Sequence, residues 1–168
     1  MKKPVAKISA FAAVIAIAIG AYFALFSPPG APDVRFVDLK GDSVTTAGLR
    51  GKVVLVNFWA TSCVTCVREM PRIVETYNKY RASGFETIAV AMSYDPPNYV
   101  LNYAEKNALP FRVALDPTGE LAKRFGDIRV TPTTFIIDKR GKVVKQYLGE
   151  PDFAQLHALL EAKLKEES

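Results

Sequence analysis

The segment Val53-Val54-Leu55-Val56-Asn57-Phe58-Trp59 is apolar at both odd and even positions, with Asn57 as its one polar interruption. A strand with one wet face alternates apolar and polar side chains, whereas a short run apolar on both parities reads as a strand buried on both faces. Such a strand must be covered from two sides, so the rest of the chain has to supply layers above and below it. Immediately after it, within the stretch WATSCVTC, come the only two cysteines of the 168 residues, Cys63 and Cys66.

The flanking sequence supplies those layers in regular alternation. DVRFVDLKGDSVTTAGLRGK reads as a short hairpin built on Lys40-Gly41-Asp42 and leading into a brief turn. A helix is expected from Cys63 to Ala82. Val67, Met70, Ile73, Val74, Tyr77 and Tyr80 recur along it at three- and four-residue spacing, and Ser83-Gly84 ends it. Residues 85–93, FETIAVAMS, form a second buried strand. PPNYVLNYAEKNAL follows as a helix with proline in its first turn. A short strand over 111–115 and a short helix from Thr118 to Phe125, stopped by Gly126, come next. TTFIID and KVVKQYLG flank Lys139-Arg140-Gly141 as a hairpin, and DFAQLHALLEAKL closes the chain as an amphipathic helix through Phe153, Leu156, Leu160 and Leu164. The order predicts an α/β domain with a mixed parallel and antiparallel sheet.

The N-terminus is of a different character. Residues 1–7 carry three lysines, and residues 8–26 contain no charge and only Ser9 and Tyr22 as polar side chains. As a helix those residues would span about 28 Å, close to the hydrocarbon thickness of a bilayer. A cleaved signal peptide has a shorter apolar region followed by a small-residue site. Here the small-residue triplets Ala16-Ile17-Ala18 and Ala18-Ile19-Gly20 lie inside the run, so an uncleaved signal anchor is the expected reading, with cleavage as its alternative. Lysines before the run and none closely after it place the N-terminus in the cytoplasm. Residues 27–32, SPPGAP, read as a stiff linker, and residues 33–168 as the domain on the far side of the membrane. Lys2, Lys3 and Lys7 are three of the 22 basic residues, so the remainder sets 19 bases against 17 acids. That balance offers no electrostatic basis for nucleic-acid binding.

A CxxC between a buried strand and a helix, with Pro71 five residues beyond Cys66 and Thr131-Pro132 entering a strand downstream, resembles the thioredoxin fold. The segments GKVVLVNFWATSC, CVREMP, LDPTGELAKRFG and VTPTTFIIDKRGKVV are similar, more narrowly, to the membrane-anchored TlpA/ResA-type thioredoxins of bacterial envelopes. The resemblance runs from about Val34 to Leu164. It implies a thioredoxin fold with an N-terminal β-hairpin extension and a central insertion, attached to an N-terminal transmembrane helix. It also implies a protein-disulfide oxidoreductase that needs no cofactor and acts as a monomer. The implied site is the bacterial inner membrane, single-pass, with the domain facing the periplasm or cell exterior. Its implied partners are a membrane electron donor of the DsbD/CcdA kind and cysteine-containing exported proteins, such as apocytochromes c or copper-delivery proteins of oxidase assembly.

Three uses of the cysteines compete. A structural zinc site needs four ligands, and the chain offers two cysteines and one histidine, His157. A structural disulfide across CxxC would close a tiny loop and remove little chain entropy. A redox dithiol fits the placement best. At a helix start the Cys63 sulfur lies beside free N–H groups and the positive end of the helix dipole, which favour thiolate. Cys63 is therefore the expected nucleophile and Cys66, one turn further in, the resolving thiol. With no third cysteine, the oxidised monomer can pair only Cys63 with Cys66. The resemblance implies that the Thr131-Pro132 bond is cis, facing the sulfurs, and that Thr131 offers backbone hydrogen bonds to substrate. Trp59 is expected near the centre as a substrate-binding platform.

Departures from the family narrow the reading. Where thioredoxin itself carries a buried Asp, this chain has Asn57, which cannot take a proton from Cys66. Glu69, three residues after Cys66, matches the acidic residue of the TlpA/ResA pattern, and it is expected to tune the dithiol or relay the Cys66 proton; an ordinary exposed helix carboxylate is the alternative. Ser62 replaces the common Trp, Val64-Thr65 the common Gly-Pro, and Thr133 the Glu of the cytochrome-maturation branch. Two other functions are weighed. A peroxiredoxin-like peroxidase uses PxxxTxxC, but Asn57 stands where its proline belongs. A Sco-like copper-binding assembly factor uses CxxxC with a distant loop histidine, a pattern missing here. His157 reads as helix packing, and Tyr94 as a residue that can border a docking surface.

Overall fold

The computed structural model describes Ile15 and residues 29–167. Apart from Ile15, the expected membrane segment 8–26 lies outside the described residues, as do residues 1–7. Among the described residues no helix is long and apolar enough to cross a membrane.

The centre of the domain is β3, Val53–Trp59, all seven residues of which are buried. Its neighbours in a five-stranded sheet are β4 (Phe85–Ala91), parallel to it, and β6 (Thr133–Ile137), antiparallel. β5 (Arg112–Leu115) pairs in parallel with β4 and β7 (Val143–Leu148) antiparallel with β6, giving the order β5-β4-β3-β6-β7. The predicted N-terminal hairpin is a separate two-stranded sheet, β1 (Arg35–Val37) with β2 (Ser43–Thr45). The turn of that hairpin leans on the free edge of β5, where the Leu39 N–H donates to the Val113 carbonyl at 3.0 Å. At the opposite edge the linker meets the β6–β7 turn: the Val143 N–H donates to Pro29 O and the Ala31 N–H to Gly141 O, each at 2.9 Å. Both sheet edges are thus partly paired, which removes open templates for strand addition.

The parity of β3 sorts the core into two layers. Val53, Leu55 and Trp59 pack with Cys66, Met70, Ile73 and Tyr80 of α1 (Val64–Tyr80), Val100 of α2 (Pro97–Lys106), and Phe153, Leu156 and Leu160 of α4 (Phe153–Lys165). Val54, Val56 and Phe58 pack on the other face with Phe36, Ala122 of α3 (Glu120–Arg124), Phe125 and Phe135. Phe58, Phe125 and Phe135 form an aromatic cluster with ring centroids 5.2–6.1 Å apart.

Several element ends differ from expectation; α3, for one, runs Glu120–Arg124 where Thr118 to Phe125 is expected, and α2 ends at Lys106, short of Leu109. α1 begins at Val64 with Cys63 as its N-cap and ends at Tyr80, not Ala82; a 3-10 turn, Arg81–Ser83, follows. Gly84 closes that turn at φ 91°, a left-handed conformation that side chains with a Cβ disfavour. β4 stops at Ala91, because the Asp95 N–H turns back to the Met92 carbonyl at 2.9 Å.

Candidate active site

β3 delivers the chain to the end of the sheet, and Ala60-Thr61-Ser62 turn it into α1, with the Cys63 N–H donating to Ala60 O at 3.1 Å. Cys63 is half-buried and extended at the N-cap, and its sulfur accepts the Cys66 N–H at 3.2 Å. A sulfur in the place of a capping oxygen satisfies one of the helix's free N–H groups, and the same N–H stabilises a thiolate once the pair is reduced. Cys63 and Cys66 form a disulfide here. Cys66 has no solvent exposure and belongs to the core. Only the first of the two sulfurs is therefore presented to a partner, which is the asymmetry that an attacking and a resolving thiol require.

The second wall of the site comes from the loop before β6. The Thr131–Pro132 peptide is cis, as the resemblance implies, and the Thr131 carbonyl lies 3.6 Å from the Cys63 sulfur. Pro132 is buried and Thr131 half-buried. The Tyr94 hydroxyl lies 3.2 Å from Thr131 Oγ1. Val64 and Val130, next to Cys63 and Thr131 in the chain, are exposed. So is Leu148, whose rung in the β6–β7 ladder is shared with Thr133.

Glu69 is not an exposed helix carboxylate. It is fully buried beneath the CxxC turn, on the α1 face that also holds Cys66, Met70 and Ile73. Asn57 projects from β3 onto the same face, and its side-chain N–H groups donate to Glu69 Oε1 and to Thr134 Oγ1, both at 2.9 Å. Thr134 is the cross-strand partner of Asn57, so strand register sets this network. Glu69 Oε2 is buried without a partner. Loss of hydration pushes the Glu69 pKa up to about 7. The Asn57 hydrogen bond pulls it down, and the opposed charges of Glu150 and Arg68 act more weakly. The carboxyl thus titrates near neutrality, one helical turn along α1 from Cys66.

Contrary to the expectation of a substrate platform, Trp59 has no solvent exposure; its ring packs against Tyr103 of α2 at 5.1 Å between centroids. Trp59 therefore supports the loop from below and offers no surface to a partner. His157 packs as expected. Its Nε2 lies 2.9 Å from Thr76 Oγ1, among Tyr80 and Phe153, so it is committed to the α1–α4 contact. Two groups had no usable signal in the sequence. Thr134 lies 77 residues from Asn57, and Asp95, whose carboxylate grips Thr61, lies 34 residues from it.

A dithiol at a helix N-cap, a cis-proline loop facing it and a buried carboxyl behind it describe a thiol–disulfide exchange centre. Comparison with known proteins agrees. The Redoxin family profile matches residues 28–160. The thiol–disulfide oxidoreductase ResA of Bacillus thuringiensis subsp. konkukian is 39% identical over 130 residues, covering 77% of this chain and 74% of that protein. The ResA of Halalkalibacterium halodurans is 35% identical over 146 residues, covering 82% of each. A crystal structure of a thioredoxin-family thiol:disulfide interchange protein from Chlorobium tepidum superposes with a TM-score of 0.74 at 30% identity, covering 82% of this chain and 97% of that one. The chain belongs to the Redoxin family, as a thiol–disulfide oxidoreductase of thioredoxin fold similar to ResA.

Proposed function

We propose that this enzyme is a membrane-anchored reductant of protein disulfides, working outside the bacterial inner membrane. The apolar run 8–26 behind three lysines supports the anchor, and the two ResA relatives support the chemistry. In this reading a membrane protein of the DsbD/CcdA kind supplies electrons. Exported proteins with oxidised cysteine pairs receive them, apocytochromes c and copper-delivery proteins among them, and the domain acts as a monomer. The observation that carries the reading is the division between a half-exposed Cys63 and a fully buried Cys66 backed by Glu69.

The cycle follows from that division. The Cys63 thiolate, held by the Cys66 N–H, attacks one sulfur of the substrate disulfide. An S–S bond forms between Cys63 and substrate, and the other substrate sulfur leaves as a thiolate that solvent protonates. Thr131 pairs its backbone with the substrate chain while the mixed disulfide exists. Glu69 then takes the Cys66 proton on its free oxygen, and the new Cys66 thiolate attacks the Cys63 sulfur. The Cys63–Cys66 disulfide closes, the second substrate sulfur departs, and two electrons have passed to the substrate. When the donor regenerates the dithiol, Glu69 returns its proton to Cys66.

The test is a Cys66→Ser variant of the full chain in its native envelope, where Cys63 can attack but cannot be resolved. Exported cysteine-containing proteins and a membrane donor are expected in complexes that dithiothreitol releases, and none with Cys63→Ser. Absence of such complexes would overturn the reading. A reduction potential near that of thioredoxin, about −270 mV, is expected for a reductant; one near −120 mV would instead mark an oxidant.

A further inference from the structure

The loop after β4 touches both walls of the redox centre. Asp95 is 4% exposed, and its carboxylate accepts the Thr61 N–H on Oδ2 at 2.6 Å and the Thr61 hydroxyl on Oδ1 at 2.5 Å. Asp95 directly precedes Pro96, the N-cap of α2, and makes no cap for that helix. Both oxygens are spent on one residue of the turn that presents Cys63. The loop is further pinned there, because the Met92 N–H donates to Trp59 O at 3.0 Å. The next residue back, Tyr94, is 59% exposed and reaches the other way, its hydroxyl 3.2 Å from Thr131 Oγ1.

We propose that Tyr94 and Asp95 form a clasp that sets the gap between Cys63 and the Thr131 backbone for a polypeptide substrate. Asp95 holds the turn that aims the nucleophile, and Tyr94 holds the residue that pairs with the incoming chain. Both are positioning residues; neither exchanges electrons or protons with the sulfurs. A small disulfide needs only an accessible Cys63 sulfur. A polypeptide must meet that sulfur and the Thr131 backbone in one register, so the clasp acts on the choice between the two. The inference rests on the proposed function in taking a polypeptide as the substrate.

The test compares the rates at which the reduced full chain reduces a synthetic peptide with one internal disulfide and oxidised glutathione. The readout is the ratio of the two rate constants. Tyr94→Phe, which removes one exposed hydroxyl, is expected to lower the peptide-to-glutathione ratio about fivefold, the size of one hydrogen bond. Asp95→Ala should lower it about tenfold or more, since both lost bonds are charge-assisted. Asp95→Asn, which keeps an acceptor for the Thr61 N–H, should restore much of the ratio. A variant that merely folds less well loses both rates together, so an unchanged ratio in Tyr94→Phe and Asp95→Ala overturns the clasp. If the unaltered protein shows no preference for peptide over glutathione, the proposed polypeptide substrate fails first.

Discussion

Glu69 is buried with one oxygen on Asn57 and one oxygen free, and loss of hydration outweighs the Asn57 bond to make it titrate near neutrality. As the acceptor of the Cys66 proton it must be ionised. The rate of the resolving step should therefore rise with pH through about 7, and stopped-flow reoxidation of Glu69→Gln should lack that inflection. The same group leaves a mark on folding. Its folded pKa lies above the unfolded value near 4.5, so its stabilising contribution is complete below pH 4.5 and is lost as pH rises through about 7. For the oxidised protein the loss by pH 8 is on the order of 3 kcal/mol, and denaturant titrations of Glu69→Gln should show it abolished. A wild-type stability flat between pH 5 and 8 would count against a buried, protonatable Glu69.

At the scale of elements, α1 and α4 cover one face of β3 and are joined through Thr76, His157 and the buried Leu156 and Leu160. Leu156→Ala should cost 2–5 kcal/mol on a urea unfolding curve, roughly the range for a fully buried leucine. Asp152 caps α4 by accepting the Ala154 and Gln155 N–H groups, and Asp152→Ala should cost about 1 kcal/mol. Neither substitution touches the sulfurs, so the reduction potential should stay put. The strands and helices that carry these contacts were legible because hydrophobic periodicity is local: β3 was readable from seven residues, and both hairpins from their turns. The buried stripe of α1 was only half legible. Apolar spacing points to Val67, Val74 and Tyr77, yet Val67, Val74 and Tyr77 are only partly buried, and Glu69 and Thr76 take buried places. Polar groups entered the stripe because Asn57 and His157 wait for them across the interface, and such partners are set by packing, not by spacing. The burial of Trp59 was hidden for the same reason: α2 and Tyr103 close over it.

Across the whole domain the redox centre and the linker sit at opposite ends of the sheet. Gly30 bridges Lys142 at the start of β7, whereas Leu148, at its finish, pairs with Thr133 beside Pro132. The six steps from Lys142 to Leu148 span about 20 Å along the strand. Spin labels at Gly30→Cys and at Cys63, in a Cys66→Ser background, should report at least roughly that separation. This polarity sets Cys63 at the end of the domain remote from the linker. The exchange cycle depends on unequal sulfurs, and that inequality can be measured directly. Reduced Cys66→Ser and Cys63→Ser proteins would each be mixed with the same peptide disulfide, and the mixed-disulfide adduct followed by mass spectrometry. The adduct should form on Cys63 at least about tenfold faster than on Cys66; equal rates, or faster reaction at Cys66, would contradict the assignment of Cys63 as nucleophile.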